Sequence, residues 1–206
     1  MIRLTERRGV DVRLNTEATR ESLEAEGFDI VLCALGAEPK RPPIPGLDRH
    51  KNLMTAVEAL ENADRITGRV VVIGGGEVGV ETGIFLGRRG LEVTVLGRNA
   101  QVAPEANPIH YRETFDRAWQ SLDCLRVVTG APVTGVSDAA VTYEQAGESH
   151  TLPADTLILA SGMAPLTDRA LAFYSDRYDF HMIGDCAELG TIMTSMRSAY
   201  AAASRL

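Results

Sequence analysis

The sequence is poor in the residues that most metal, dithiol and membrane chemistry would need. Its three cysteines, Cys33, Cys124 and Cys186, lie far apart and form no C-x-x-C pair, so neither a local dithiol nor a cysteine-bound cluster is expected within this chain. The four histidines, His50, His110, His150 and His181, are equally scattered, and no two have metal-ligand spacing. No metal site is expected. No apolar run approaches the ~20 residues that span a bilayer. The N-terminal MIRLTERRGVDV is basic but leads into no apolar segment, so it does not read as a secretory signal, and a cytoplasmic location is the default expectation. Basic residues are outnumbered, 21 against 28, and a formal net charge of −7 argues against broad nucleic-acid binding, which needs a basic face.

What is present suits an ordinary folded protein: 206 residues, 45% hydrophobic, enough for one large domain or two small ones. VDVRLN (10–15) alternates in character and reads as a strand. TRESLEAEG reads as a polar helix stopped by Gly27, and FDIVLCALG as a strand buried on both faces. AEPKRPPIPGLD has four prolines in twelve residues, which makes it an extended connector and the clearest candidate boundary. Thr55 and Glu58 then make a capping box that opens a short helix. From Arg69 the pattern is βαβ: RVVVI, a glycine turn, a helix from about Glu77 to Arg89 stopped by Gly90, and the strand LEVTVL. A further helix is expected after Pro108, with Tyr111, Phe115, Ala118, Trp119 and Leu122 on one face. The stretch from Leu125 to Leu152 reads as an antiparallel meander, and DTLILASG as another buried strand. DFHMIGDC and an alanine-rich segment close the chain as strand, turn and helix.

The glycine turn carries the chemistry. G-x-G-x-x-G alone is a weak signal, but here a strand precedes Gly74, a helix follows at once, and a second strand returns about 20 residues on, as a dinucleotide-binding fold requires. Gly74 permits the sharp turn, Gly76 lets backbone approach a pyrophosphate, and Gly79 allows helix to pack on strand. The diphosphate would then meet free N–H groups at the positive end of the helix dipole. No G-K-[ST] follows, so this is not a P-loop. At the end of the second strand, where NAD-selective sites usually carry Asp or Glu, stand Gly97 and Arg98. A guanidinium there can hold a 2′-phosphate, which favours NADP(H) over NAD(H); the alternative is a solvated loop arginine. Glu77 and Glu81 are like charges one turn apart. The dipole excuses Glu77, whereas Glu81 faces either a cation, a cofactor ring or plain solvent.

Two segments echo one another: DIVLCALGAEP and DTLILASGMAP. Each reads as a strand delivering a glycine, Gly36 or Gly162, to a pocket edge, or as an ordinary buried strand ending in a turn. Together with GGGEVGVE and the late IGDC, they resemble the two-dinucleotide-fold flavin reductases of pyridine nucleotide-disulfide oxidoreductase type. The likeness is to the C-terminal part of the NADH:flavin oxidoreductases that include 2,4-dienoyl-CoA reductase, 2-enoate reductase and trimethylamine dehydrogenase. It runs nearly the whole length of the chain. The resemblance implies that Gly74, Gly75, Gly76, Glu77, Val78, Gly79, Gly97 and Arg98 bind the pyridine nucleotide and that Gly162 lines its pocket. It also implies that Ala34 to Gly36 sit near the flavin nucleotide, that Asp185 after Gly184 bonds the FAD ribityl chain, and that Glu81 approaches the flavin. Without the resemblance, Gly184-Asp185 reads as a strand-to-helix turn with a capping Asp.

The family's FAD domain opens on its own glycine fingerprint, and this chain has only one. The FMN and iron–sulfur barrel is absent as well, so a missing domain of the same polypeptide is the expected partner. The expected architecture is α/β. A Rossmann-type parallel sheet with an antiparallel meander (48–164) is inserted in a partial FAD-type domain (1–47 and 165–206). The expected function is an NADP(H)-binding module that passes hydride to FAD. A non-catalytic ADP- or NADP-binding domain is the alternative. A self-contained dehydrogenase ranks below both, since neither lysine, Lys40 or Lys51, follows a tyrosine by four positions.

Overall fold

The computed structural model describes residues 5, 7–107 and 115–205. The chain divides into two compact units: Met1–Ala37 with Pro165–Leu206, and Glu38–Ala164, which is therefore inserted in the sequence of the first. In the outer unit, Thr19 caps α1 (Arg20–Glu26) through a capping box with Ser22, and Gly27 at φ +71° ends it. Strand β1 (Ile30–Cys33) follows, and the passage into the inserted unit runs through β2 (Ala37–Pro39). The segment expected as a strand at 10–15 is not one. Val10, Val12 and Leu14 are exposed, and Asn15 turns the backbone at φ +54°. Alternation specifies a strand only where a neighbour offers pairing, and no described strand lies beside it.

The inserted unit opens with β3 (Leu53–Thr55) and α2 (Ala56–Glu61), in which Thr55 N–H donates to Glu58 Oε2 and Glu58 N–H to Thr55 Oγ1. Next come β4 (Arg69–Ile73), α3 (Glu77–Gly87), β5 (Glu92–Leu96), α4 (Arg117–Gln120) and β6 (Leu125–Val128). A three-stranded antiparallel sheet follows, β7 (Val133–Val136), β8 (Ala140–Gln145) and β9 (Glu148–Pro153), and then β10 (Thr156–Leu159). The main sheet is parallel throughout, in the order β3-β10-β4-β5-β6. Both of its faces are covered. Val70, Val72, Val93, Val95 and Leu125 pack beneath the helices, while Val71, Ile73, Leu96 and Val128 pack beneath the antiparallel strands. That explains the unbroken apolar run RVVVI, in which each buried valine contributes roughly 1.5–3 kcal/mol.

Two expectations change here. The run at Leu125–Val128 is a parallel edge strand of the main sheet, and the meander begins only at Val133, because Val93 and Val95 offer an open parallel edge to pair with. The expected boundary at 47 falls inside the inserted unit. Leu47 and Ile44 belong to its core, and Val136 N–H donates to the Pro45 carbonyl (2.9 Å), so the proline-rich connector is bound down rather than free. Of the helix expected after Pro108, the described residues show Arg117–Gln120, and Phe115, Ala118, Trp119 and Leu122 pack against the core; Tyr111 lies outside the described residues.

The chain returns through β11 (Met163–Pro165), which pairs with β2, to α5 (Thr167–Leu171), β12 (Asp179–Met182) and α6 (Ile192–Ala203). Strands β1 and β12 pair in parallel, over a small core of Cys33, Ala170 and Cys186 backed by Leu166, Phe173, Phe180 and Met182. Ile30 and Leu32 on β1 are exposed, as are Ile192, Met193, Met196 and Tyr200 on α6.

Candidate functional site

The glycine turn sits at the carboxyl end of the parallel sheet, between β4 and α3, where open α/β sheets place their ligands. Gly74 takes φ +128°, and its N–H donates to the Leu96 carbonyl (2.9 Å). A Cβ on Gly74 would strike the Ala160 carbonyl at 2.2 Å, so the turn is pressed against the strand end that leads to Gly162. A Cβ on Gly79 would stand 1.8 Å from the Gly74 carbonyl, which makes that glycine a matter of helix-to-turn contact. Gly76 differs. It caps α3 without a side-chain bond, and a Cβ there would meet nothing within 4 Å.

Helix α3 starts with unsatisfied donors. Its first backbone bond runs from Val80 N–H to the Gly76 carbonyl (3.1 Å), and among the described residues no acceptor faces the amides of Gly75, Gly76, Glu77, Val78 and Gly79. Five successive donors at the positive end of an eleven-residue helix make a cradle for an anion. The open space at Gly76 leaves that cradle accessible, which meets the spatial requirement of a diphosphate.

Around this turn stand the other candidates of the inserted unit. Gly97, at the end of β5, is buried with its backbone against Gly75. Arg98 is exposed, and among the described residues no carboxylate pairs with it. Gly162, at φ +92° with open space about it, follows β10 at the same end of the sheet. Glu81 lines a hollow of about 360 Å³ with Ile84, Phe85, Arg88, Arg89 and Phe115. Burial, and then the neighbouring Glu77 charge, push its carboxyl above the usual range. Sequence reasoning missed one participant: Ala103, whose N–H donates to the Gly75 carbonyl (2.8 Å). A backbone donor leaves no mark in a side-chain pattern.

In the outer unit the remaining candidates also converge. Strands β1 and β12 are parallel, so Ala34–Gly36 and Gly184–Asp185 leave the same carboxyl end, and Ile183 N–H donates to the Cys33 carbonyl (3.0 Å). Asp185 Oδ1 accepts from Gly190 N–H (3.2 Å) and Ser195 Oγ (3.4 Å). Among the described residues nothing donates to Oδ2, and it remains able to accept a hydroxyl. Cys33 and Cys186 are both buried, and burial, then Cys186, pushes the Cys33 thiol up. Cys186 Sγ donates to the carbonyls of Cys33 and Ile183 (3.3 Å each). Neither thiol is disposed to disulfide exchange, which needs an accessible thiolate.

A parallel sheet with a glycine turn and bare helix amides at its carboxyl end is the arrangement of a dinucleotide-binding fold. The comparison with known proteins names the class more closely: the pattern of the pyridine nucleotide-disulphide oxidoreductase family matches residues 2–178, and the chain belongs to that family. It is 33% identical over 202 residues to the bilirubin reductase of Mediterraneibacter gnavus and 27% identical over 199 residues to the cinnamate reductase of Clostridium sporogenes. Each alignment covers 96% of this chain and 30% of the relative. The structure of 2-naphthoyl-CoA reductase with 2-naphthoyl-CoA superposes with a TM-score of 0.87 at 29% identity, over 97% of this chain and 30% of that one. The chain thus spans about a third of the length of the relatives it matches. Among the described residues no helix is long and apolar enough to cross a membrane.

Proposed function

We propose that the chain is the pyridine-nucleotide module of a flavin-dependent reductase, with NADPH as the preferred nucleotide. The observation that carries this reading is the run of five amides from Gly75 to Gly79 that meet no acceptor among the described residues, opening onto free space at Gly76. The amides would hold the pyrophosphate, Arg98 the 2′-phosphate, and Gly162 would leave room along the nucleotide beside the sheet end. When bound, the nucleotide supplies the hydride and FAD accepts it. No side chain here has to act as acid or base. The chain's own work is to orient the diphosphate and to recognise the ribose phosphate.

In the outer unit, Ala34, Gly36, Gly184 and the free oxygen of Asp185 fit the ribityl and nucleotide part of FAD. They make half a site. The two-stranded sheet exposes Ile30 and Leu32, whereas parallel sheets are normally covered on both faces. Full flavin binding is therefore assigned to a longer polypeptide, whose further part would carry the FMN and iron–sulfur barrel. The relatives are named for bilirubin, cinnamate and 2-naphthoyl-CoA, all conjugated molecules, and the proposed electron acceptor of the longer protein is a conjugated unsaturated compound. The same half-site favours a second reading for the chain by itself, in which it binds NADPH or ADP and no flavin.

Thermal unfolding of the purified chain with NADPH, NADH, ADP and FAD tests both readings. A rise in midpoint with NADPH larger than with NADH supports the first assignment. A yellow protein bleached by NADPH extends it to flavin. A chain whose midpoint none of the nucleotides moves sinks the proposal.

A further inference from the structure

We propose that Ala103 is a positioning residue for the nucleotide site, one that aims the glycine turn; this rests on the pyridine-nucleotide reading above. The Gly75 carbonyl accepts the Ala103 N–H at 2.8 Å. No peptide bond among the described residues is cis, so the Gly75–Gly76 unit is a planar trans peptide in which carbonyl and N–H point in opposite directions. Fixing the carbonyl on Ala103 turns the Gly76 N–H away from the loop, and among the described residues that N–H meets no acceptor. One hydrogen bond thus sets the direction of a central donor in the cradle.

Ala103 holds this place against its own preference. Its φ is +43°, a region that an L residue with a Cβ seldom adopts, and glycine would sit there more easily. The methyl explains the choice of alanine: Ala103 is only 5% exposed and belongs to the core beneath α3, with Val102 and Ala106 packed on the same cluster. Its carbonyl accepts Ala106 N–H (3.0 Å), which closes the turn behind it. The side chain anchors the loop, and the anchored loop presents the amide to Gly75. Strained backbone held in place by packing, at the point of contact with a ligand turn, is the pattern expected of a functional constraint. Gly97 also abuts Gly75, so the turn has a second close contact.

The test uses three substitutions and three ligands. Ala103→Pro removes the donor, Ala103→Val keeps it but resists the positive φ, and Ala103→Gly keeps it and accepts that φ. The ligands are NADPH, NADH and adenosine 2′-phosphate, which lacks a pyrophosphate. Dissociation constants are measured by calorimetry, with an unfolding midpoint for each variant. Ala103→Pro is expected to weaken NADPH and NADH alike by about tenfold or more, leaving adenosine 2′-phosphate within about twofold of wild type. Ala103→Val should follow in the same direction, and Ala103→Gly, which keeps the donor and suits the φ but loses the buried methyl, should bind both dinucleotides between wild type and Ala103→Val. Wild-type dinucleotide affinity in both the Pro and the Val variants overturns the proposal. So does a loss that extends equally to adenosine 2′-phosphate, since that marks general unfolding. A wild-type chain that binds neither dinucleotide overturns the nucleotide reading itself and the positioning with it, and that result is read without any variant.

Discussion

Gly75 and Gly97 touch backbone to backbone: a Cβ on Gly75 would stand 2.7 Å from the Cα of Gly97, and one on Gly97 would stand 3.1 Å from the Cα of Gly75. Gly97 does not take a positive φ, so it is glycine for want of space. The absent carboxylate at the end of β5 therefore has a packing cause, independent of any cofactor. An acid introduced here would press on the glycine turn before it could reach a ribose. Gly97→Asp is expected to weaken NADPH and NADH together and to destabilise the fold by about 1–3 kcal/mol, the usual range for overpacking. Paired dissociation constants and an unfolding midpoint check this. A clean switch to NADH with an unchanged midpoint would contradict it.

With Gly97 explained by packing, nucleotide choice rests on Arg98. Its guanidinium is exposed and has no acidic partner among the described residues, so it is free to meet a phosphate. Arg98→Ala should cost NADPH roughly 1–3 kcal/mol of binding, about 5- to 150-fold, because a charge-assisted pair is lost. NADH should be nearly unaffected. Equal losses for the two nucleotides would remove Arg98 from the site.

The fingerprint glycines separate into two kinds, and substitution can tell them apart. At Gly76 a side chain meets open space, so Gly76→Val should fold with a near-normal midpoint and lose both dinucleotides. At Gly79 a Cβ would be driven into the Gly74 carbonyl at 1.8 Å. Gly79→Ala should therefore lower the unfolding midpoint first and binding only as a consequence. Circular dichroism melts beside NADPH titrations of the two variants decide the matter. A Gly76→Val chain that binds normally would show that nothing occupies the space in front of it.

Much of this arrangement can be read from the residues. The βαβ unit is plain because RVVVI and LEVTVL are apolar runs bounded by glycines, and the capping box of Thr55 with Glu58 is local chemistry. The strand at Leu125–Val128 looks like part of the meander because periodicity does not say which edge a strand joins. VDVRLN reads as a strand and is none, since alternation needs a neighbour in space. Ala103 is invisible for a different reason: its contribution is an N–H at an unusual φ, and every residue but proline carries an N–H. Gly97 is visible but open to misreading, because an absent side chain gives no hint whether the cause is ligand or packing.

The pairing of β4 with β10 carries a pH-dependent element that is separate from nucleotide binding. Asp155 accepts from the Arg69 N–H (2.8 Å) and from its guanidinium Nε (2.9 Å) and Nη2 (3.2 Å), at the entry to both strands. These hydrogen bonds hold the Asp155 carboxyl down at about 2. The unfolded chain would titrate nearer ~3.9. The folded form thus binds its proton later than the unfolded one, so the contribution is present in full above the unfolded value and is lost as pH falls from about 4 to about 2. Both side chains are about half exposed, at 50% and 44%, so solvent keeps the effect modest. Asp155→Asn retains the shape and removes the titration. Its unfolding midpoint should lie below wild type at about pH 6, and the gap should close as the pH approaches about 2. Melting curves of the two proteins across that range provide the check. A gap of the same size at both ends would mean that the lost charge is not what separates them, and that the substituted amide simply bonds the strand entry less well.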